Sequence, residues 1–227
     1  MPRKSIMEFT YDDTLPLPSE VEKEFSDKAG DRLTATEWLV EHGIPPRADA
    51  ALIQYGVTWN PETGRYRFVI YDSEHVGPKN AAELAIPIYE DGAFLDLLCI
   101  SDEMSFARVT CRAKWLGREN LAGPVVRLHA HPMDWLETGI GVCHIEPCSR
   151  KALKELRKAK TIECNCIYTA LEAWDWGFAG EDDELSRFEI DDSLFAIRQY
   201  FEDEVRWRTA YLIPSRRNAL AERAVQS

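Results

Sequence analysis

Seven histidines and cysteines fall within 38 positions: His129, His131, Cys143, His144, Cys148, Cys164 and Cys166. Imidazole nitrogens and thiolates are the ligands that hold zinc in a tetrahedral site. Were 129–131 and 164–166 both extended, each pair would point to one face of its strand. That makes His129, His131, Cys164 and Cys166 the candidate Cys₂His₂ set. The spacing gives this little support, because no Cys-x-x-Cys pair occurs and Cys143 and Cys148 stand five apart. Cysteine in a strand is ordinarily a small buried hydrophobe. The expectation is therefore packed thiols and no cofactor, with a zinc protein or small metalloenzyme as the alternative.

Two other constellations carry chemistry of a kind. Asp134 and Trp135 sit side by side after Pro132, where a carboxylate beside an indole could receive a base or a basic side chain. Architecture explains them as well, since Asp134 complements a helix N-terminus and Trp135 packs. Between Arg150 and Lys160 there are six basic residues and one acid, Glu155. Lys151, Lys154, Arg157 and Lys158 are the candidate macromolecule contacts there, and phosphate binding through them would weaken steeply with salt. Catalytic signatures are missing: there is no Gly-x-Ser-x-Gly, phosphate-cradling glycine loop or dinucleotide fingerprint. Asp96 and Asp102 have no reason from sequence to share a cleft as acid and base. Recognition rather than turnover is expected.

Local patterns suggest the elements that must position these residues. Ser19 to Lys28 reads as a helix, Thr34 to Glu37 as a capping box opening a second, and Pro46 to Tyr55 as a third ending at Gly56. The period then changes. Val57–Trp59 and Arg65–Tyr71 flank Asn60-Pro-Glu-Thr-Gly64, and Ala85–Tyr89 and Ala93–Ile100 flank Glu90-Asp91-Gly92, giving two hairpins, with Pro87 at an edge or bulge. Ser105–Cys111, Val125–His129 and Ile140–Ile145 are further strands, the last two joined by a short helix from Pro132 to Gly139. Ser149 caps a helix to Lys160, another covers Cys166–Trp176, and Leu194, Ile197, Phe201 and Val205 mark a closing helix that Pro214 ends. The run 181–192 holds seven acids and one Arg and reads as a loop.

Two resemblances add to this. His129-Ala-His131-Pro-Met-Asp134 resembles the His-x-His that opens the metal centre of amidohydrolase barrels, but a barrel of about 250 residues has no room after position 129. A longer stretch, about residues 86–146, is similar to uncharacterised prophage and mobile-element proteins of proteobacteria. It comprises Ile86-Pro-Ile-Tyr-Glu-Asp-Gly-Ala-Phe-Leu-Asp-Leu, Trp115-Leu-Gly117, Val126-Arg-Leu-His and Pro132-Met-Asp-Trp-Leu-Glu-Thr-Gly139. The resemblance implies a genomic setting and a compact fold, and it brings no activity.

Composition bounds the rest. The chain has 227 residues, of which 45% are hydrophobic and 29% charged, with net charge −12. That describes a collapsing chain with a charged surface, and it disfavours sequence-independent binding to nucleic acid or an anionic membrane. The N-terminus lacks the apolar run of a secretory signal, so a cytoplasmic protein with free thiols is expected. The predicted fold is α+β: N-terminal helices over 18–55, one mainly antiparallel sheet built from hairpins over 57–145, and C-terminal helices over 149–213 packed on one face. These form one domain, 18–213, between a flexible arm at 1–17 and a loose tail at 214–227. The expected role is a cytosolic accessory protein of a prophage or mobile element that binds another protein. Nucleic acid is the second choice of partner, through 150–160, and an acidic mimic of DNA the third reading.

Overall fold

Pro18 opens α1 (Pro18–Lys28) at a position where a missing N–H costs nothing, and Val21 and Phe25, one turn apart, are buried. The computed structural model describes residues 13–29, 32–71, 82–146, 149–178, 182–190 and 195–208. Helix α2 spans Arg32–Glu41, so Thr34 lies inside it and not at its cap. The predicted third helix is replaced by strands: β1 (Ala51–Ile53) and β2 (Tyr55–Asn60) occupy its place. Pro46 and Gly56 punctuate this stretch as they would a helix. Burial decides otherwise, because Ala51 and Ile53 face the core while Leu52 between them does not, the period of a strand.

Strand β2 pairs antiparallel with β3 (Arg65–Ile70) as a separate two-stranded ribbon. A second hairpin joins β4 (Glu83–Glu90) to β5 (Ala93–Ile100), and with β1 and β6 (Phe106–Arg108) it makes an antiparallel sheet of order β1-β4-β5-β6. Pro87 is tolerated because β1 covers only Glu83–Ala85 of β4, and the register slips just beyond, between Ile88 and Tyr89. Helix α1 closes one side, with Val21 and Phe25 among Ile53, Phe68, Ile70, Leu97 and Cys99. Of the expected arm, residues 1–12 lie outside the described residues. At its end the Thr14 carbonyl accepts from Tyr66 N at 2.7 Å. The 214–227 tail also lies outside.

Asp96 is fully buried in the middle of β5. Its Oδ1 accepts from Leu97 N at 2.9 Å and Thr110 N at 2.7 Å, its Oδ2 from Arg112 N at 2.9 Å and Ala113 N at 3.1 Å. Arg108 completes the arrangement by donating to the carbonyls of Cys111 and Ala113. An anion thus takes the amides of the 109–113 loop and a cation takes its carbonyls, which lets this loop carry Cys111 at φ 55°.

The chain divides into two compact units, Met1–Ala113 and Lys114–Ser227, where the sequence reading expects one domain. The second is built on five strands: β7 (Trp115–Leu116), β8 (Val125–His129), β9 (Val142–His144), β10 (Thr161–Cys164) and β11 (Phe188–Ile190). Their order is β11-β10-β8-β9-β7. This corrects the expected single antiparallel sheet: β8 pairs parallel with both β9 and β10, β10 pairs parallel with β11, and only β7–β9 is antiparallel. It also corrects the expected all-helical stretch 149–213, which supplies two strands, and the acidic loop, part of which is a 3₁₀ turn (Asp182–Arg187) followed by β11.

Helix α3 (Pro132–Thr138) makes the β8-to-β9 crossover and ends at Gly139 with φ 63°. The basic stretch is α4 (Arg150–Leu153) continued by a 3₁₀ turn to Lys158, with Ser149 Oγ accepting from Ala152 N at 3.3 Å. Then follow α5 (Ile167–Ala173), a π turn to Phe178, and α6 (Phe195–Trp207). Residues of α4, α5 and α6 share one core with Val126, Leu128, Ile162, Cys164 and Phe188. The fold is mixed α+β, and no helix among the described residues is long and apolar enough to cross a membrane.

Two outcomes test this account of the first unit. Asp96→Asn puts an amide NH₂ against buried N–H donors and is expected to cost about 3 kcal/mol in denaturant unfolding. Glu24 accepts from Ile70 N and from Lys28 Nζ, each at 3.1 Å. Burial pushes its carboxyl upward, but the Ile70 amide, Lys28 and Arg67 outweigh that and hold it below the usual carboxylate range. A depressed folded-state value means the stabilisation is present above the unfolded value near 4.3 and lost as pH falls through the folded one. Glu24→Gln should therefore flatten the fall of the urea midpoint between about pH 5 and pH 3.

Candidate functional site

Alternation along three parallel strands sorts their side chains. Val126, Leu128, Ile162, Cys164 and Phe188 go to the core, so Arg127, Glu163 and Glu189 are sent to the opposite face. Register puts these three in a row, Arg127 beside Glu163 and Glu163 beside Glu189. From β8 the chain turns to β9 on one side and then returns to β10 on the other. With right-handed crossovers, such a reversal places α3 and α4 on opposite faces and leaves a crevice at the carboxyl ends of the two strands that part.

A pocket of about 520 Å³ lies there. Arg127, Glu163 and Glu189 form its floor, α3 contributes Asp134, Glu137 and Thr138, and the strand ends bring His129 and Asn165. Arg127 Nε donates to Glu163 at 3.0 Å. Asn165 holds the two strand-to-helix turns together: its Nδ2 donates to Asp134 at 2.9 Å, and its Oδ1 accepts from Ala130 N at 3.1 Å and Thr169 Oγ1 at 3.3 Å. Gly141 packs against β8: it has φ 85°, and a Cβ there would collide with the Arg127 carbonyl. Its own carbonyl accepts from Trp135 Nε1 and Asn120 Nδ2, each at 3.0 Å.

The candidate metal ligands do not assemble. Strand β8 stops at His129 and β10 at Cys164, while His131 and Cys166 are the N-caps of α3 and α5. Each pair therefore splits across a strand-to-helix turn and does not share a strand face as expected. His129 is 4% exposed, and its Nε2–H donates to the Ile140 carbonyl at 2.9 Å, which leaves Nδ1 a buried lone pair without a hydrogen bond. His131 Nδ1 accepts from Met133 N at 3.2 Å. Cys166 Sγ lies 3.1 Å from Thr169 Oγ1. Burial raises the Cys164 thiol far above its ordinary range, and burial with Asp134 and Glu172 does the same for Cys143. Cys148 lies outside the described residues. Among the described residues no three His, Cys, Asp or Glu side chains converge as a metal site.

The macromolecule-contact candidates also separate. Trp135 is 8% exposed and belongs to the interior, whereas Asp134 lines the pocket. Arg157 turns inward, donating to the Gly177 carbonyl at 2.8 Å and lying over the Phe178 ring. Lys151, Lys154 and Lys158 are exposed, between the buried Ala152, Leu153 and Leu156. Their one acidic neighbour, Glu155, is paired with Arg118 at 3.1 Å.

One surface that sequence reasoning passed over is the β2–β3 ribbon. Trp59 and Tyr66 are directly opposite in register and make an edge-to-face pair at 5.2 Å, yet they are 50% and 40% exposed. Val57, on the same face of β2, is 45% exposed. The strand alternation was visible in the sequence. That no described residue covers this outer end of the ribbon was not.

Alkylation checks the thiol assignment. In the native protein Cys166 should react readily with iodoacetamide, while Cys143 and Cys164 stay unmodified until denaturant is added, as read by peptide mass spectrometry. A comparison of the chain with protein-family models, with curated proteins and with solved structures finds no match to any of them.

Proposed function

We propose that this protein acts by binding another protein, as an accessory component of a prophage or mobile element, and that the β2–β3 ribbon is its contact surface. The observation that carries the reading is the Trp59–Tyr66 pair: two large aromatic rings held against each other on a strand pair, with Val57 beside them, and left open to solvent. Trp and Tyr dominate the energetic centres of protein interfaces, because they offer large contact area for little loss of rotamer freedom.

The ribbon holds the pair ready. Its loop, Pro61–Gly64, is closed by Gly64 N to the Asn60 carbonyl and by Glu62 N to Asn60 Oδ1, both at 3.0 Å. At the base, Tyr55 packs on Phe68, whose ring belongs to the core under α1. A surface fixed in this way loses little freedom on docking. Arg65 and Arg67 alternate with Tyr66 along β3 and so stand on the opposite face of the ribbon. The segregated lysines at 151, 154 and 158, in the second unit, are a separate charged surface.

The test uses the full chain as bait in an extract of the cells that carry the element. Wild type is expected to retain a defined protein in stoichiometric amount, and Trp59→Ala/Tyr66→Ala to lose it by at least tenfold while melting within about 1 kcal/mol of wild type. Replacing Lys151, Lys154 and Lys158 by Ser should reduce retention only modestly and mainly through its salt dependence. Unchanged retention by the folded double variant refutes the assignment.

A further inference from the structure

We infer that the pocket at the carboxyl ends of β8, β10 and β11 is a binding site for an organic cation: an alkyl chain that ends in an ammonium or guanidinium group. The inference is independent of the ribbon, since every residue it uses lies in the second unit.

Position is the first ground. In open sheets of parallel strands, ligands sit where the winding reverses, outside the carboxyl ends of the strands. Here that place holds a pocket of about 520 Å³, a volume that suits a small ligand. Charge is the second. Asp134, Glu137, Glu163 and Glu189 line it against a single cation, Arg127, which is already committed to Glu163. Glu137 and Glu189 have no ion-pair partner among the described residues. Asp134 accepts from the neutral amide of Asn165 and has no ion-pair partner among the described residues.

Register supplies the third ground. Glu163 and Glu189 are direct neighbours on adjacent parallel strands, and like charges so placed repel. Folding alone gives no reason to set a carboxylate at 189, since its side chain faces away from the core. A cation between α3 and the floor would turn this repulsion into attraction. His129, 4% exposed, lines the same pocket and its Nδ1 makes no hydrogen bond.

The carboxylates spread over the floor and one wall and do not meet at a point, so the geometry does not suit one bare metal ion. A cation with several donors and an apolar stem matches it better. Ile190 and the Thr138 methyl offer surface to the stem, and the dispersed carboxylates offer acceptors to the head. Two sources share this chemistry: a free polyamine, or a lysine or arginine side chain of a protein.

Calorimetry on the full chain at about 0.1 M salt distinguishes them. One arm titrates agmatine and spermidine, the other a short peptide with one central arginine, and adenosine monophosphate is the anionic control. Saturable binding is expected in at least one of the first two arms. Glu189→Gln and Glu137→Gln should each weaken it about fivefold, and Arg127→Gln, which frees Glu163, should strengthen it by a similar factor. Glu189→Gln should also melt no lower than wild type, showing that the loss is not misfolding. Binding of the peptide alone assigns the source to a protein, and binding of the amines alone to a free metabolite. No binding in either arm, affinity indifferent to Glu137 and Glu189, or saturable binding of the nucleotide alone overturns the inference.

Discussion

One amide side chain keeps the second unit's pocket in register. Asn165 reaches from the end of β10 to Ala130 N and Asp134 at the end of β8, and to Thr169 in the helix that follows it. Its own N–H donates to the Leu128 carbonyl, continuing the ladder one residue past the strand. Parallel strands that part company at a reversal of winding have nothing to pair with beyond their last residues, so the turn's polar groups need other partners. Asn165 accepts from Ala130 N through Oδ1 and donates to Asp134 through Nδ2. Everything else at the site follows from this closure: α3 is held over the exposed face, Asp134 points into the pocket, and the row Arg127–Glu163–Glu189 becomes a floor.

The first unit solves a similar problem with charge in place of a neutral amide. The 109–113 loop leaves its strand and needs partners for several backbone groups at once. Asp96 receives the amides and Arg108 donates to the carbonyls, so a buried carboxylate is stabilised by four N–H dipoles rather than by a neighbouring cation. This explains why an acid interrupts the apolar run Phe94–Ile100. Asp96 is engaged by the loop amides, while Asp102 accepts from Trp38 Nε1 at 3.2 Å.

Hairpins and the β8–α3–β9 unit were legible because their signals are local: alternation, Asn60-Pro-Glu-Thr-Gly64, and Pro132 followed by Gly139. The helix expected over Pro46–Tyr55 failed because β1 is three residues long and derives its stability from pairing with β4, thirty residues on, which no local window records. Of the pocket, only Asp134 was singled out for binding, with His129 and Cys164 named as metal ligands. Glu163 and Glu189 become neighbours only through a parallel register between distant segments. The alternations Thr161-Ile-Glu-Cys164 and Phe188-Glu-Ile190 were the available signals. The first sits between two helical stretches and the second inside an acidic run, and in both cases composition outweighed period.

The scattering of the histidines and thiols has the same origin as the pocket. A parallel strand that feeds a helix ends on one residue and caps the helix two residues later, so any x-y-x pair placed there is pulled apart. His129-Ala130-His131 and Cys164-Asn165-Cys166 each run from the last residue of a strand to the N-cap of the next helix, one step out of register, since Cys164 stands beside Leu128. In each the first residue is buried, Cys164 on the core face and His129 on the face of Arg127, and the third serves as an N-cap. At β8 the middle residue is Ala130, whose amide is accepted by Asn165, the middle residue at β10. What reads in the sequence as two ligand pairs is, in the fold, two strand-to-helix turns linked through Ala130 N and Asn165. The turns thus place the first and third residues of each pair within the turn itself, and the carboxylates Asp134, Glu137, Glu163 and Glu189 line the pocket.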